Sequence, residues 1–277
     1  MPSNLSFIVT YDNSELCCIK YVSETATEIL GWELDELIGQ PVYGYFDPVQ
    51  IPSLERIHIS NVMNEKLCSM VSYRFRHKNG SYVMLQTVVH YCYDTVVTTN
   101  WVYDPESVGY RQRMNSVDEA FVVKPNGELE LASMGSFPWR PRDLNDSMKY
   151  SLKVSQRWNS KSQVEHEQEP RFYLLLNRYS DLMNVVYVSD MISNVLGVQS
   201  EDCLGKSLYQ LVHPHDRVVV EAQCMAAKSH YVTARIRFDW IVDETKNIYQ
   251  PVDTIVCGAT DGLVMAVRLA PKPINIS

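Results

Sequence analysis

No CxxC pair, HExxH run, GxSxG elbow or glycine-rich phosphate loop occurs in this 277-residue chain. Each absence removes a class of chemistry. HExxH sets two imidazoles and a general base on one helix face, GxSxG lifts a nucleophilic serine onto a sharp turn, and glycine-rich loops bring backbone amides to phosphates. Without them, and with Asp and Glu scattered over expected solvent faces, the chain reads as a non-enzyme with no catalytic residue assigned. Basic charge is the minority: 25 Lys and Arg stand against 33 Asp and Glu, giving a net charge of −8 and a pI of about 5.4. Such a field repels polyphosphate, so direct nucleic-acid binding is not expected. The N-terminus has no charged-then-apolar leader, and no apolar run reaches bilayer-spanning length. The expectation is an intracellular protein, cytoplasmic or nuclear, without membrane contact.

Cysteine is present in an odd number: Cys17, Cys18, Cys68, Cys92, Cys203, Cys224 and Cys257. Most lie in apolar or periodic stretches, where a free thiol behaves as a small hydrophobe, and that usage suits a reducing compartment. Hydrophobic residues make up 45% of the chain and charged residues 21%, ordinary values for packed domains, and the length suggests two of them. Tyrosine, with seventeen, stands out more than any charged cluster.

The organising feature is internal. Tyr21 to Gln50 aligns without a gap on Tyr187 to Asp216, at an offset of 166 residues. One copy reads YVSETATEILGWELDELIGQPVYGYFDPVQ, the other YVSDMISNVLGVQSEDCLGKSLYQLVHPHD. A period this long exceeds a solenoid unit and fits a duplicated domain. In each copy a serine (Ser23, Ser189) precedes an i, i+3, i+4 apolar stripe: Ala26, Ile29 and Leu30, or Ile192, Val195 and Leu196. The serines are expected as N-caps, and Gly31 and Gly197 as helix stops. A second turn ends at Gly39 or Gly205, and a third carries Val42 and Tyr43, or Leu208 and Tyr209. Short β-rich runs precede this section in both copies. A helix and three further strands follow it, including Cys68 to Arg76 and Tyr82 to Tyr91 around Lys78-Asn79-Gly80. Strand, strand, helices, strand, strand, strand, stated twice, fits an α+β class.

The two aligned stretches resemble the B strand and C, D and E helices of the PAS family, and YRFRHKNGSYVMLQT resembles its G–H hairpin. The resemblance implies two PAS-like domains, at 1–104 and 170–271, each a five-stranded antiparallel sheet with short helices on one face. Tandem pairs of this type occur in fungal light-response and basic helix-loop-helix transcription regulators. Residues 105–169 do not repeat; they read as a connector. It holds one hairpin around Pro125-Asn126-Gly127, then a proline-interrupted run at 137–141 and a polar, acidic stretch from 163.

Family members hold a small ligand between helices and sheet or fill that space with side chains. The matching positions here are Val42, Tyr73 and Phe75 in the first copy, and Leu208, Ile236 and Phe238 in the second. Light-sensing LOV members place a flavin-reactive cysteine where this chain has Val42 and Leu208, so no cysteinyl-flavin adduct can form there. His58, on an expected helix, is the better placed of the candidate haem ligands; His213 and His215 flank Pro214 with no cysteine or carboxylate recognised at ligand spacing, and no metal set is assigned. No cofactor is predicted, and a small ligand stays open. Two functions follow from the resemblance. One is an interaction module that dimerises with itself or another PAS protein in a regulatory, transcription-linked complex. The other is a sensor holding a metabolite, haem or flavin in one domain.

Overall fold

The structure is a computed structural model describing residues 5–14, 16–64, 66–134, 169–230 and 232–270, which divide into two units between Glu169 and Pro170, with Ala259–Asp261 counted in the first. The first opens with β1 (Ser6–Asp12) and β2 (Ile19–Val22), followed by α1 (Thr25–Leu30), α2 (Leu34–Leu37), a 3-10 turn (Val42–Tyr45) and α3 (Ile51–Met63). Then come β3 (Ser69–Arg76), β4 (Tyr82–Cys92), β5 (Thr95–Val102), α4 (Val108–Ser116), β6 (Glu119–Val123) and β7 (Leu129–Met134). The second unit runs β8 (Arg171–Leu176), β9 (Val185–Val188), α5 (Met191–Leu196), 3-10 turns at Ser200–Asp202 and Leu208–Gln210, α6 (Arg217–His230), β10 (Thr233–Asp243), β11 (Ile248–Gly258) and β12 (Leu263–Leu269).

The duplication extends to individual hydrogen bonds. Gly31 and Gly197 end α1 and α5 in the left-handed region, at φ 72° and 70°. Cys17 and Met183, at the same place before β2 and β9, both adopt positive φ, and their carbonyls accept from Val42 N at 3.2 Å and Leu208 N at 3.1 Å. Gly39 N donates to Ile19 O at 2.7 Å, and Gly205 N to Val185 O at 2.8 Å. Two stretches with different side chains thus bend the backbone in the same way.

The expected serine caps need correcting. Neither α1 nor α5 has a side-chain cap. Ser23 Oγ instead accepts the amide of Ile8 at 2.8 Å, and Ser189 Oγ that of Tyr173 at 3.1 Å. Both serines are buried. An amide of β1 or β8 would otherwise be orphaned where the short β2 or β9 ends, and the hydroxyl supplies the missing acceptor. The serine ties helix to strand rather than closing the helix.

The second sheet has five antiparallel strands in the order β10-β11-β12-β8-β9. The first departs from the expected five: it has seven, in the order β2-β1-β5-β4-β3-β6-β7, and β6 lies parallel to β3. The hairpin read as part of the connector has joined the sheet. Paired from Ser69↔Glu119 to Ser72↔Val122, it supplies partners for the edge backbone of β3 while Val123, Phe121 and Leu129 pack on the core. Helix α4, capped by Ser107 through Tyr110 N, lays Arg113 over the Trp101 ring at 4.2 Å and bonds it to Gln86 Oε1 at 2.9 Å. Residues 105–134 therefore build on the first sheet, including its outer face. The proline-interrupted run and all of the polar stretch except Glu169 lie outside the described residues.

One buried residue ties the hairpin to both β3 and the start of α3. Gln50, fully buried, accepts Arg74 N on β3 at 2.7 Å and donates to Val123 O and Lys124 O at 2.9 and 3.0 Å. Its counterpart Asp216 accepts the matching amide, Asp239 N, at 2.8 Å, but a carboxylate has no hydrogen to donate. The amide-for-carboxylate difference gives the first copy a hook that the second lacks.

Candidate functional site

In the first unit the inner face of the sheet and the helical section line a partly open cavity of about 80 Å³. Strand alternation sends Tyr11, Tyr73, Thr87, Val89, Tyr91 and Thr98 inward from β1, β3, β4 and β5. The 3-10 turn and the residue after it contribute Val42, Tyr43 and Phe46, α3 contributes Leu54, Ile57 and His58, and Cys17 completes the lining. The Tyr73 and Thr87 hydroxyls meet at 3.3 Å, Asn61 Nδ2 reaches Tyr91 OH at 3.5 Å, and the His58 ring meets Tyr91 edge-on at 5.3 Å.

Every titratable group in that wall is held in its uncharged form by desolvation. His58 is lowered to about 4, Tyr43 and Tyr73 are raised to about 12, and Tyr11 and Tyr91 are pushed above their ordinary value as well. Burial, then the Asp12 charge, lifts the Cys17 thiol to about 12. No Asp, Glu, Lys or Arg is among the described lining residues. The chamber is apolar, rich in hydroxyl groups and uncharged at neutral pH.

The candidate positions separate on inspection. Val42 and Tyr73 line the cavity; Phe75 lies beyond it, stacked on Tyr45 at 5.6 Å and bordering a void of only about 10 Å³. Leu208, Ile236 and Phe238 are buried in the second core. The bridges Phe46↔Phe75 and Val212↔Trp240 make Trp240 the counterpart of Phe75. Trp240, fully buried between Phe172 and Phe238, was not singled out from the sequence.

Ladder register explains why the copies differ inside. Tyr91 pairs with Val96 and Val96 with Tyr11; Gly258 pairs with Leu263 and Leu263 with Leu176. Tyr91 and Gly258 are therefore the same position. In the second unit the missing side chain lets α6 settle until the Ala227 carbonyl lies where a Cβ of Gly258 would be. In the first, the Tyr91 ring stands between strand and helix, edge-on to His58 of α3. Cys224, small and buried, occupies the place of His58. The rings of Tyr91 and His58 both line the cavity.

The histidine pair takes a different form from the one expected. His215 Nε2 lies 3.1 Å from Asp216 Oδ1 and 3.8 Å from Asp239 Oδ2, so β10 does bring a carboxylate to it. The group is a surface turn. His215 is exposed, Asp216 is engaged by Asp239 N, and the positive end of α6 opposes a cation.

Two models described as PAS fold match the chain, at residues 19–96 and 183–263. Similar solved structures include the PAS-B domain of Drosophila melanogaster Cycle with bound ethylene glycol, at 25% identity and a TM-score of 0.31, covering 35% of this chain and 99% of that one. The chromophore-binding domain of Stigmatella aurantiaca phytochrome P1 is similar at 18% identity and a TM-score of 0.32, covering 38% of this chain and 33% of that one. No curated protein sequence matches.

Proposed function

Because the chain belongs to the PAS family and carries one domain of that fold in each half, we propose that it is a signalling module whose first domain senses a small uncharged molecule beneath α3. The observation that carries this reading is the contrast at one equivalent position: Tyr91 stands beside a cavity, whereas α6 rests directly on Gly258. A cavity of about 80 Å³ is roughly half the ~150 Å³ that accepts benzene in an engineered core. The ligand class is therefore compact and neutral, with an apolar body and one or two hydrogen-bonding groups for the tyrosines and His58. Haem and flavin are several times too large for it. The module acts by binding, with no chemistry of its own.

Phenol is the probe: its hydroxyl stays protonated at neutral pH (pKa about 10 for the tyrosine analogue), and, being larger than the resting cavity, it enters as α3 moves away. Ligand-observed NMR on the full chain is expected to find one saturable phenol site, lost in Val96→Phe, which places a ring in the cavity from β5. A folded chain with no saturable phenol binding, or undiminished binding by the variant, ends the sensing reading.

A protein partner, a second copy or another PAS protein, is the second reading. It is favoured by apolar side chains left exposed at equivalent places in both copies: Leu16 and Leu182, Tyr21 and Tyr187, Ile38 and Leu204. A specific interface buries at least about 1,000 Å² in total. Sedimentation is expected to show a dimer that Leu182→Glu with Leu204→Glu dissociates; a wild-type monomer at high concentration overturns it.

A further inference from the structure

Helix α3 has two duties on adjacent turns. Leu54, Ile57 and His58 form part of the cavity wall. Immediately before them, Gln50 donates to Val123 O and Lys124 O, and Ser53 Oγ donates to Gly127 O at 2.6 Å. Gly127 itself, at φ 82°, sits so close that a Cβ would overlap the Val49 carbonyl. From Gln50 to His58 the helix rises only about 12 Å at 1.5 Å per residue. The same short rigid rod thus touches the cavity at one end and holds the β6–β7 hairpin at the other.

The opposite wall cannot yield as easily, because β1, β5, β4 and β3 form a continuous ladder. A molecule larger than the cavity is accommodated by α3 moving away. Resting on the reading that the cavity is a ligand site, we infer that its occupation is reported at the β6–β7 hairpin, which α3 releases from the edge of β3 as the cavity fills. The hairpin supplies the two-state element such coupling requires: docked in parallel register from Ser69↔Glu119 to Ser72↔Val122, or detached. The second copy serves as an internal control. It has Asp216 in place of the Gln50 donor, its sheet ends at β10 among the described residues, and its helix α6 rests on Gly258.

Hydrogen–deuterium exchange on the full chain with and without phenol tests the link. Amides of β6 are expected to exchange at least threefold faster with phenol, those of β10–β12 to stay unchanged, and Val96→Phe to abolish the effect. Coupling is reciprocal, so loosening the hairpin with Ser53→Ala, which removes one hydroxyl and leaves Gln50 in place, is expected to tighten phenol binding. If phenol does not bind at all, the sensing reading fails. If it binds while β6 exchange and the Ser53→Ala affinity both stay unchanged, the coupling is overturned and the sensing reading stands.

Discussion

Replacing Gly258 by alanine is expected to destabilise the second PAS domain by about 3 kcal/mol, the upper part of the range for overpacked cores. The cost does not come from backbone conformation, because Gly258 has no positive φ. It comes from space: the new methyl would overlap the Ala227 carbonyl oxygen and lie 2.8 Å from its carbon. Both belong to the backbone of α6, so no rotamer change relieves the clash and the whole helix must lift. Val220, Cys224 and Ala227, all fully buried on the sheet side of α6, would lift with it and lose contact. For a domain of this size the loss corresponds to a drop in melting temperature on the order of 15 °C. Calorimetry, with exchange of the β10–β12 amides locating the change, measures it. A melting temperature within a degree or two of wild type would mean that α6 does not rest on β11 as described.

The same pair of positions shows where sequence reasoning stopped. The duplication was legible because glycines with positive φ, an apolar stripe and a proline recur at one fixed offset, and backbone geometry of that kind leaves few residue choices. Strand alternation likewise placed Tyr73, Phe75, Ile236 and Phe238 inside. The relation of Tyr91 to Gly258 stayed hidden because the constant offset breaks down beyond the aligned stretch. Only the ladder pairings bring the two into register. His58 drew attention as a lone histidine on a helix, but its setting depends on Tyr91, which comes from another element. Thr87 and Thr98 face inward against the usual polarity of a core, so a pattern search passes over them. The hairpin is legible as a hairpin whose apolar residues need cover, but nothing local in EAFVV or LELASM says that it will pair in parallel with β3. The decisive signal was Gln50, whose donor end sits some seventy residues from the carbonyls it binds. Long-range polar recognition of this kind leaves no period in the sequence.

Acid is expected to weaken the first domain in a window set by His58. In the fold its pKa lies at about 4, lowered by desolvation, while in the unfolded chain it takes the ordinary value of about 6.5. The unfolded state therefore binds more protons between those values, and stability falls as pH falls. The stabilising contribution is fully present above about 6.5, declines through the interval and is exhausted near 4; integrated, it amounts to about 3 kcal/mol. The groups around the imidazole do not compete, since Tyr43, Tyr73, Tyr91 and Cys17 are all pushed upward by burial, away from this range. Urea unfolding at pH 7, 5.5 and 4.5 is expected to show a steeper loss for wild type than for His58→Leu, which has no proton to gain. Equal slopes for the two proteins would place the imidazole in contact with water. That would remove the argument that the chamber beneath α3 accepts only uncharged molecules, because a solvated histidine could answer an anion there as readily as a neutral one.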